Sequence, residues 1–150
     1  MKKSILDTKT ESFKKELDYS HLNDEQKRIY NAFVFRRAKP YRFAVIDAFG
    51  NTVRFILYTN KKDDGVLHIL GKHYKGTIGN VTAFEIVNIC DVIRKGEIIS
   101  NGKSITYTLT KGSSVLKLVV GLKRSNTGEN VLKSFYSNRK TPRTAGSSNN

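Results

Sequence analysis

Between Thr82 and Gly96 the chain reads TAFEIVNICDVIRKG, and no other stretch limits the fold as tightly. A Thr82 hydroxyl can accept from the amide three residues on while Glu85 reaches back, a reciprocal pair that starts a helix. Ile86, Ile89, Cys90 and Ile93 then recur at helical spacing, and Arg94, Lys95 and Gly96 place cations and a stop at the far end. A helix with one apolar stripe has to be covered. The cover follows in the chain: Ile105 to Thr110, Val115 to Lys123 and Val131 to Asn138 are rich in branched and aromatic residues. Turn-like links, Lys111 to Ser114 and Arg124 to Gly128, join them, which predicts an antiparallel meander. Within its middle strand Leu116, Leu118, Val120 and Leu122 would face the helix, and Lys117, Val119, Gly121 and Lys123 the other side.

Upstream, Phe13 and Leu17 are spaced for a short amphipathic helix. Asn23 and Gln26 form a second capping pair, with Asp24 and Glu25 in the first turn and Ile29, Ala32, Phe33 and Phe35 on an apolar face. Arg36, Arg37 and Lys39 suit its end, and Pro40 stops it. Tyr41 to Ala48 and Thr52 to Thr59 read as a hairpin turning at Gly50-Asn51. A polar loop, residues 60–65, leads to Val66 to Tyr74, whose spacing fits a helix while Val66, His68 and Leu70 also alternate as in a strand. Gly76, Thr77, Gly79 and Asn80 end it. The expectation is one α+β domain over residues 1–140: N-terminal helices and a hairpin, then a helix packed on an antiparallel sheet. The tail from residue 141, TPRTAGSSNN, has nothing to bury and is expected to be disordered.

Composition narrows the function. Twenty-seven Lys and Arg against 13 Asp and Glu leave the 150-residue chain at +14. After Ile98 there are nine basic residues and one acid, Glu129, so the field is concentrated in the last third. Such a field points to a polyanion, with RNA the partner expected and a membrane not. The opening MKKSILDTKT has no apolar run, so no secretory signal is read there, and no stretch approaches a membrane span. A single cysteine, Cys90, excludes a disulfide framework and suits the reducing cytoplasm, with delivery into a target cell as the alternative.

His21, His68, His73 and Cys90 lack the paired spacing of a zinc site, and the acids form no dense cluster, so no metal and no cofactor is expected. RNA cleavage without a metal needs a base for a ribose 2′-OH, an acid for the leaving oxygen, and cations or donors around the phosphate. The stretch LHILGKHYKG carries most of that inventory. His68 and His73 titrate near neutrality, and Lys72 and Lys75 can hold a phosphate. If the stretch is helical, His68, Lys72 and Lys75 share one face and Leu67, Leu70 and Tyr74 another. Tyr136 and Ser134, on one side of the last strand, can donate hydrogen bonds or stack a base. The plainer alternative makes the histidines structural, Tyr136 a packing residue and His21 incidental.

HILGKHYKG, a helix ending DVIRKGEII, a strand with Tyr107, then KLVVGLK and a closing VLKSFYSNR together resemble the phage-associated barnase, EndoU, colicin and RelE group of ribonuclease toxins. The resemblance spans about Val66 to Lys140. It implies a barnase/RelE-like fold and a metal-independent endoribonuclease acting on tRNA or mRNA, leaving a 2′,3′-cyclic phosphate. His68, Lys72, His73, Ser134 and Tyr136 stand at the matching positions, and an acidic inhibitor or immunity protein is the implied partner. The chain departs from that group in offering lysines rather than an arginine on its central strands. From the charge distribution, Lys75, Lys111, Lys117, Lys123, Arg124 and Arg139 are the residues expected to contact RNA. The rival expectation is a non-catalytic basic nucleic-acid-binding module, which needs the same cations and no histidine.

Overall fold

A computed structural model describes residues 4–139; the expected disordered tail lies outside them. Helix α1 (Ile5–Glu16) begins on Ser4, whose hydroxyl accepts from the Asp7 amide, and buries Phe13. Helix α2 (Asp24–Phe35) starts on the expected Asn23–Gln26 capping box. Phe13 stacks on Phe33 of α2 at 5.5 Å between ring centroids and meets Tyr74 edge-on at 5.6 Å, so α1 is held by what it packs on more than by its own sequence. Phe35 departs from expectation: it lies about 200° round the helix from Phe33 and is exposed.

The hairpin forms as β1 (Tyr41–Ile46) and β2 (Thr52–Leu57), with Gly50 at φ 88 in its turn. After it come a short α3 (Val66–His68) that continues as a π-helical turn (Ile69–His73), then α4 (Ala83–Val87), α5 (Ile89–Lys95) and strands β3 (Glu97–Ser100), β4 (Ser104–Lys111), β5 (Ser114–Gly121) and β6 (Val131–Ser137). The expected single helix from Thr82 is two. Its capping box is present, but Asn88 turns its side-chain amide back to the Phe84 carbonyl at 2.8 Å and breaks the run. Ile86, Ile89, Cys90 and Ile93 are nonetheless all fully buried, because α5 packs on the sheet while α4, which carries Ile86, packs against α1 and α2.

The sheet is larger than the expected meander. Its order is β1-β2-β6-β5-β4-β3, antiparallel except where β2 meets β6 in parallel through one residue pair, Ile56 and Val131. That pair fuses the hairpin to the meander. β3 went unread in the sequence because it is a short, largely exposed edge. β5 ends at Gly121 rather than Lys123, so Leu122 falls outside the strand and Lys123 turns the chain at φ 50. One side of the sheet supplies Phe43, Val45, Phe55, Leu57, Tyr107, Leu116, Leu118, Val120 and Phe135 to the core under the helices. At roughly 1.5–3 kcal/mol for each fully buried side chain, this layer holds the domain together. The opposite side carries Thr106, Thr108, Lys117, Val119, Ser134 and Tyr136, all half-buried.

Candidate active site

Strands β2 and β6 diverge beyond Ile56 and Val131, and the chain from Gly65 to Val81 fills the wedge. Gly65 N–H donates to the Lys133 carbonyl at 3.1 Å and Val66 N–H to the Tyr58 carbonyl at 3.0 Å. Further along, Ser137 N–H donates to the Gly79 carbonyl at 3.1 Å and Gly79 N–H to the Arg139 carbonyl at 2.8 Å. The edge that β2 leaves bare is therefore stitched to the histidine segment, as backbone groups inside a domain require.

In the π turn Tyr74 N–H donates to the Ile69 carbonyl, five residues back, at 2.8 Å. Residues five apart on an α-helix lie about 140° from one another, too far round to meet. The wider turn brings His68 and His73 to the same side, with ring centroids 5.3 Å apart and planes at 71°. Single π turns of this kind are frequent at functional sites. The expected face of His68, Lys72 and Lys75 does not form. Lys72 is exposed on the turn, while Lys75 lies past it at φ 54 and pairs with Glu16 of α1 at 3.3 Å. Val66, Ile69, Leu70 and Tyr74 point into the core.

His73 is only 8% exposed, and its Nδ1 lies 3.3 Å from the Ile78 carbonyl. A carbonyl can only accept, so Nδ1 carries the hydrogen and the neutral ring keeps its lone pair on Nε2. The same ring leans on Tyr136 with centroids 5.6 Å apart and planes tilted by 32°. Gly79 makes this approach possible. A Cβ there would stand 3.2 Å from His73 Nδ1, from the Ser137 carbonyl oxygen and from Tyr136 Cβ, and its φ of 68 is itself unfavourable for other residues. Tyr136 is paired across the sheet with Lys117, and Ser134 with Val119, so both hydroxyls and the lysine share the half-buried outer face beside His73.

Helix α1 steadies the turn from behind. Lys9 Nζ donates to the Gly71 carbonyl at 2.8 Å, and the Tyr74 hydroxyl donates to Glu16 Oε2 at 2.8 Å and reaches Ser12 Oγ at 3.2 Å. Burial pushes the Tyr74 phenol well above its ordinary value. Burial also depresses both imidazoles. For His68 the Lys72 charge adds to that, against a smaller upward pull from Asp63 and Asp64. For His73 the bond to Ile78 pulls upward, and His68, Lys72 and Lys9 push down. The rings are close enough that a charge on His68 disfavours one on His73.

The other candidate cations divide into two groups. Arg124 is held by Asp64 at 3.0 Å, Arg139 by Glu85, and Lys75 by Glu16. Lys72, Lys111, Lys117 and Lys123 make no ion pair among the described residues; Lys111 and Lys123 stand at opposite ends of β5, with Lys117 between them on the outer face. His21 is exposed and pairs with Asp18 at 3.2 Å, away from the rest. Cys90 is fully buried, and burial pushes its thiol far up. Among the described residues no three of His, Cys, Asp and Glu gather as a metal-binding group, and no helix is long and apolar enough to cross a membrane.

Sequence reasoning missed four contributors: Lys9, Gly79, Asp64 and Lys133. Gly79 was visible only as a helix breaker, and nothing local announces a lysine that acts from another element. Comparison of the chain with family models, with characterised proteins and with solved structures finds no match.

Proposed function

We propose that the protein is a metal-independent endoribonuclease, a toxin or effector of the barnase/RelE-like kind, with His68 and His73 as its acid-base pair. What carries the proposal is the meeting of His73 with both His68, its neighbour in the π turn, and Tyr136, from the distant last strand. The fixed tautomer of His73 leaves Nε2 able to take a proton, which suits the base. His68, whose ring makes no hydrogen bond among the described residues and feels the upward pull of Asp63 and Asp64, suits the acid.

In this mechanism His73 removes the proton from a ribose 2′-OH, and the 2′ oxygen attacks the adjacent phosphorus. The bond from phosphorus to the 5′ oxygen breaks, and His68 delivers a proton to that oxygen, leaving a 2′,3′-cyclic phosphate. Hydroxyls of Tyr136 and Ser134 donate to the phosphate oxygens as charge develops, and Lys72 adds positive potential. Lys111, Lys117 and Lys123 hold flanking phosphates along β5. Because the net charge is +14, an acidic inhibitor or immunity protein is the matching protein partner.

One observation favours the rival, a non-catalytic RNA-binding module: His73 is nearly closed off from solvent. Incubating the purified protein with total RNA in excess chelator, and mapping the new ends, separates the two. Cyclic-phosphate ends that disappear in His73→Ala, with a loss on the order of 100-fold in rate and RNA binding retained, support cleavage. Binding without new ends from the wild type would leave the module.

A further inference from the structure

Strand β6 carries one residue too many. Its register against β5 slips between Val119 and Val120, which face Ser134 and Leu132 respectively, so Lys133 has no partner across the ladder. Such a bulge re-aims the extra side chain, and bulges gather beside active sites. Here the Lys133 backbone is fixed by the Gly65 N–H, three residues before His68. Its side chain lies down over Gly121: a Cβ at that position would come within 3.2 Å of Lys133 Cγ, 3.1 Å of Lys133 Cδ and 2.9 Å of Arg124 Cδ. With no side chain at Gly121, both stems lie close against the outer face there.

The two cations differ in what they can still do. Arg124 is neutralised by Asp64, whose carboxylate is largely buried. Lys133 makes no ion pair among the described residues, and its charge reaches His68. Lys133, half-buried on a strand bonded through its carbonyl to the segment that carries His68 and without an acid of its own among the described residues, has a charge free to take an anion beside the imidazole pair.

We propose that Lys133 is the residue that binds the phosphate at the His68–His73 pair, with Arg124 and Asp64 positioning its stem over Gly121. As a catalytic contact it would neutralise the phosphate oxygens while the bond to the 5′ oxygen breaks. That last role rests on the ribonuclease proposal; the binding of a phosphate does not.

The test therefore has two arms on the full chain. In the first, inorganic phosphate is titrated into the wild type, Lys133→Met, Lys133→Arg and Lys72→Met, and the ring signals of His68 and His73 are followed by NMR. Wild type should saturate, Lys133→Met should lose 10-fold or more in phosphate affinity, Lys133→Arg should recover part of it, and Lys72→Met should lose less than Lys133→Met. In the second, the rate on RNA is compared with the affinity for a 2′-O-methyl oligonucleotide that cannot be cleaved. Lys133→Met should lose on the order of 100-fold in rate with less than about 3-fold in affinity, the loss typical of removing one donor to a developing anion. Thermal unfolding checks that each variant folds; if Lys133→Met does not, Lys133→Arg and Gly121→Ala, which displaces the stem while keeping the charge, carry the comparison. Phosphate affinity equal in wild type and Lys133→Met, or no saturation in any of the four, overturns the proposal. Phosphate binding that depends on Lys133 in a protein that cleaves no RNA would keep the site and overturn the ribonuclease instead.

Discussion

Gly79→Ala isolates the contact that brings the site together. The substitution incurs two separable costs. A non-glycine residue at φ 68 is strained by about 1–3 kcal/mol, partly offset by roughly 0.4–1 kcal/mol because alanine stiffens the unfolded chain. The new methyl must also displace neighbours 3.2 Å away, namely the His73 ring, the Ser137 carbonyl and Tyr136 Cβ. The His73 ring is held by its bond to the Ile78 carbonyl, and Ser137 by its N–H to Gly79 and its hydroxyl to Asn80, and overpacking against groups so held costs about 1–3 kcal/mol. Gly50→Ala is the control, since Gly50 has φ 88 and nothing within 4 Å of an added Cβ. The difference between the two variants should be about 1–3 kcal/mol by urea unfolding, or roughly 4 °C in Tm for each kcal/mol in a domain of this size. Gly79→Ala should also lose RNA-cleaving activity out of proportion to its stability at a temperature where it remains folded, because the His73 bond to Ile78 is disturbed; Gly50→Ala should keep wild-type activity. Equal destabilisation in the two variants would refute the close packing of Gly79 against His73 and Tyr136.

Both imidazoles titrate below the ordinary value of 6.5, so the rate on RNA should follow a bell whose maximum lies on the acid side of that value and should fall as pH rises through neutrality; a maximum above pH 7 would contradict the depressed titrations. Stability carries the matching sign. Below pH 6.5 the unfolded chain binds protons that the folded histidines refuse, so stability falls as pH drops from 6.5 toward their folded-state values, and His68→Gln should flatten that slope in unfolding measured from pH 7 to 5. RNA affinity should drop steeply between low and moderate salt; Lys117→Gln with Lys123→Gln should lessen the dependence, whereas Lys75→Gln should change it little because Glu16 already holds that ammonium. Cys90, fully buried with its thiol pushed up, should resist alkylation in the native protein and react on unfolding; fast labelling of the folded chain would contradict the packing of α5.

The sequence determined what depends on neighbours along the chain. Two capping boxes, at Asn23 and Thr82, were legible because three-residue spacing and side-chain chemistry suffice to make them. The hairpin at Gly50 and the alternation of Leu116, Leu118 and Val120 with Lys117 and Val119 were legible because period and turn residues are local properties. The basic field and the two titratable rings were visible as composition. Tertiary structure decided what depends on contacts across the chain. Hydrophobic spacing predicted an α-helical face of His68, Lys72 and Lys75; the wedge between β2 and β6 selects instead a π turn that pairs His68 with His73, through hydrogen bonds to strands the local pattern does not mention. The same holds for the neutralised cations. Nothing local distinguishes Lys75, Arg124 and Arg139 from Lys117, yet Glu16, Asp64 and Glu85 reach the first three from other elements. Lys133 sat unremarked in a strand whose pattern gave no sign of a bulge, since a one-residue slip in register exists only between two strands and is written in neither alone.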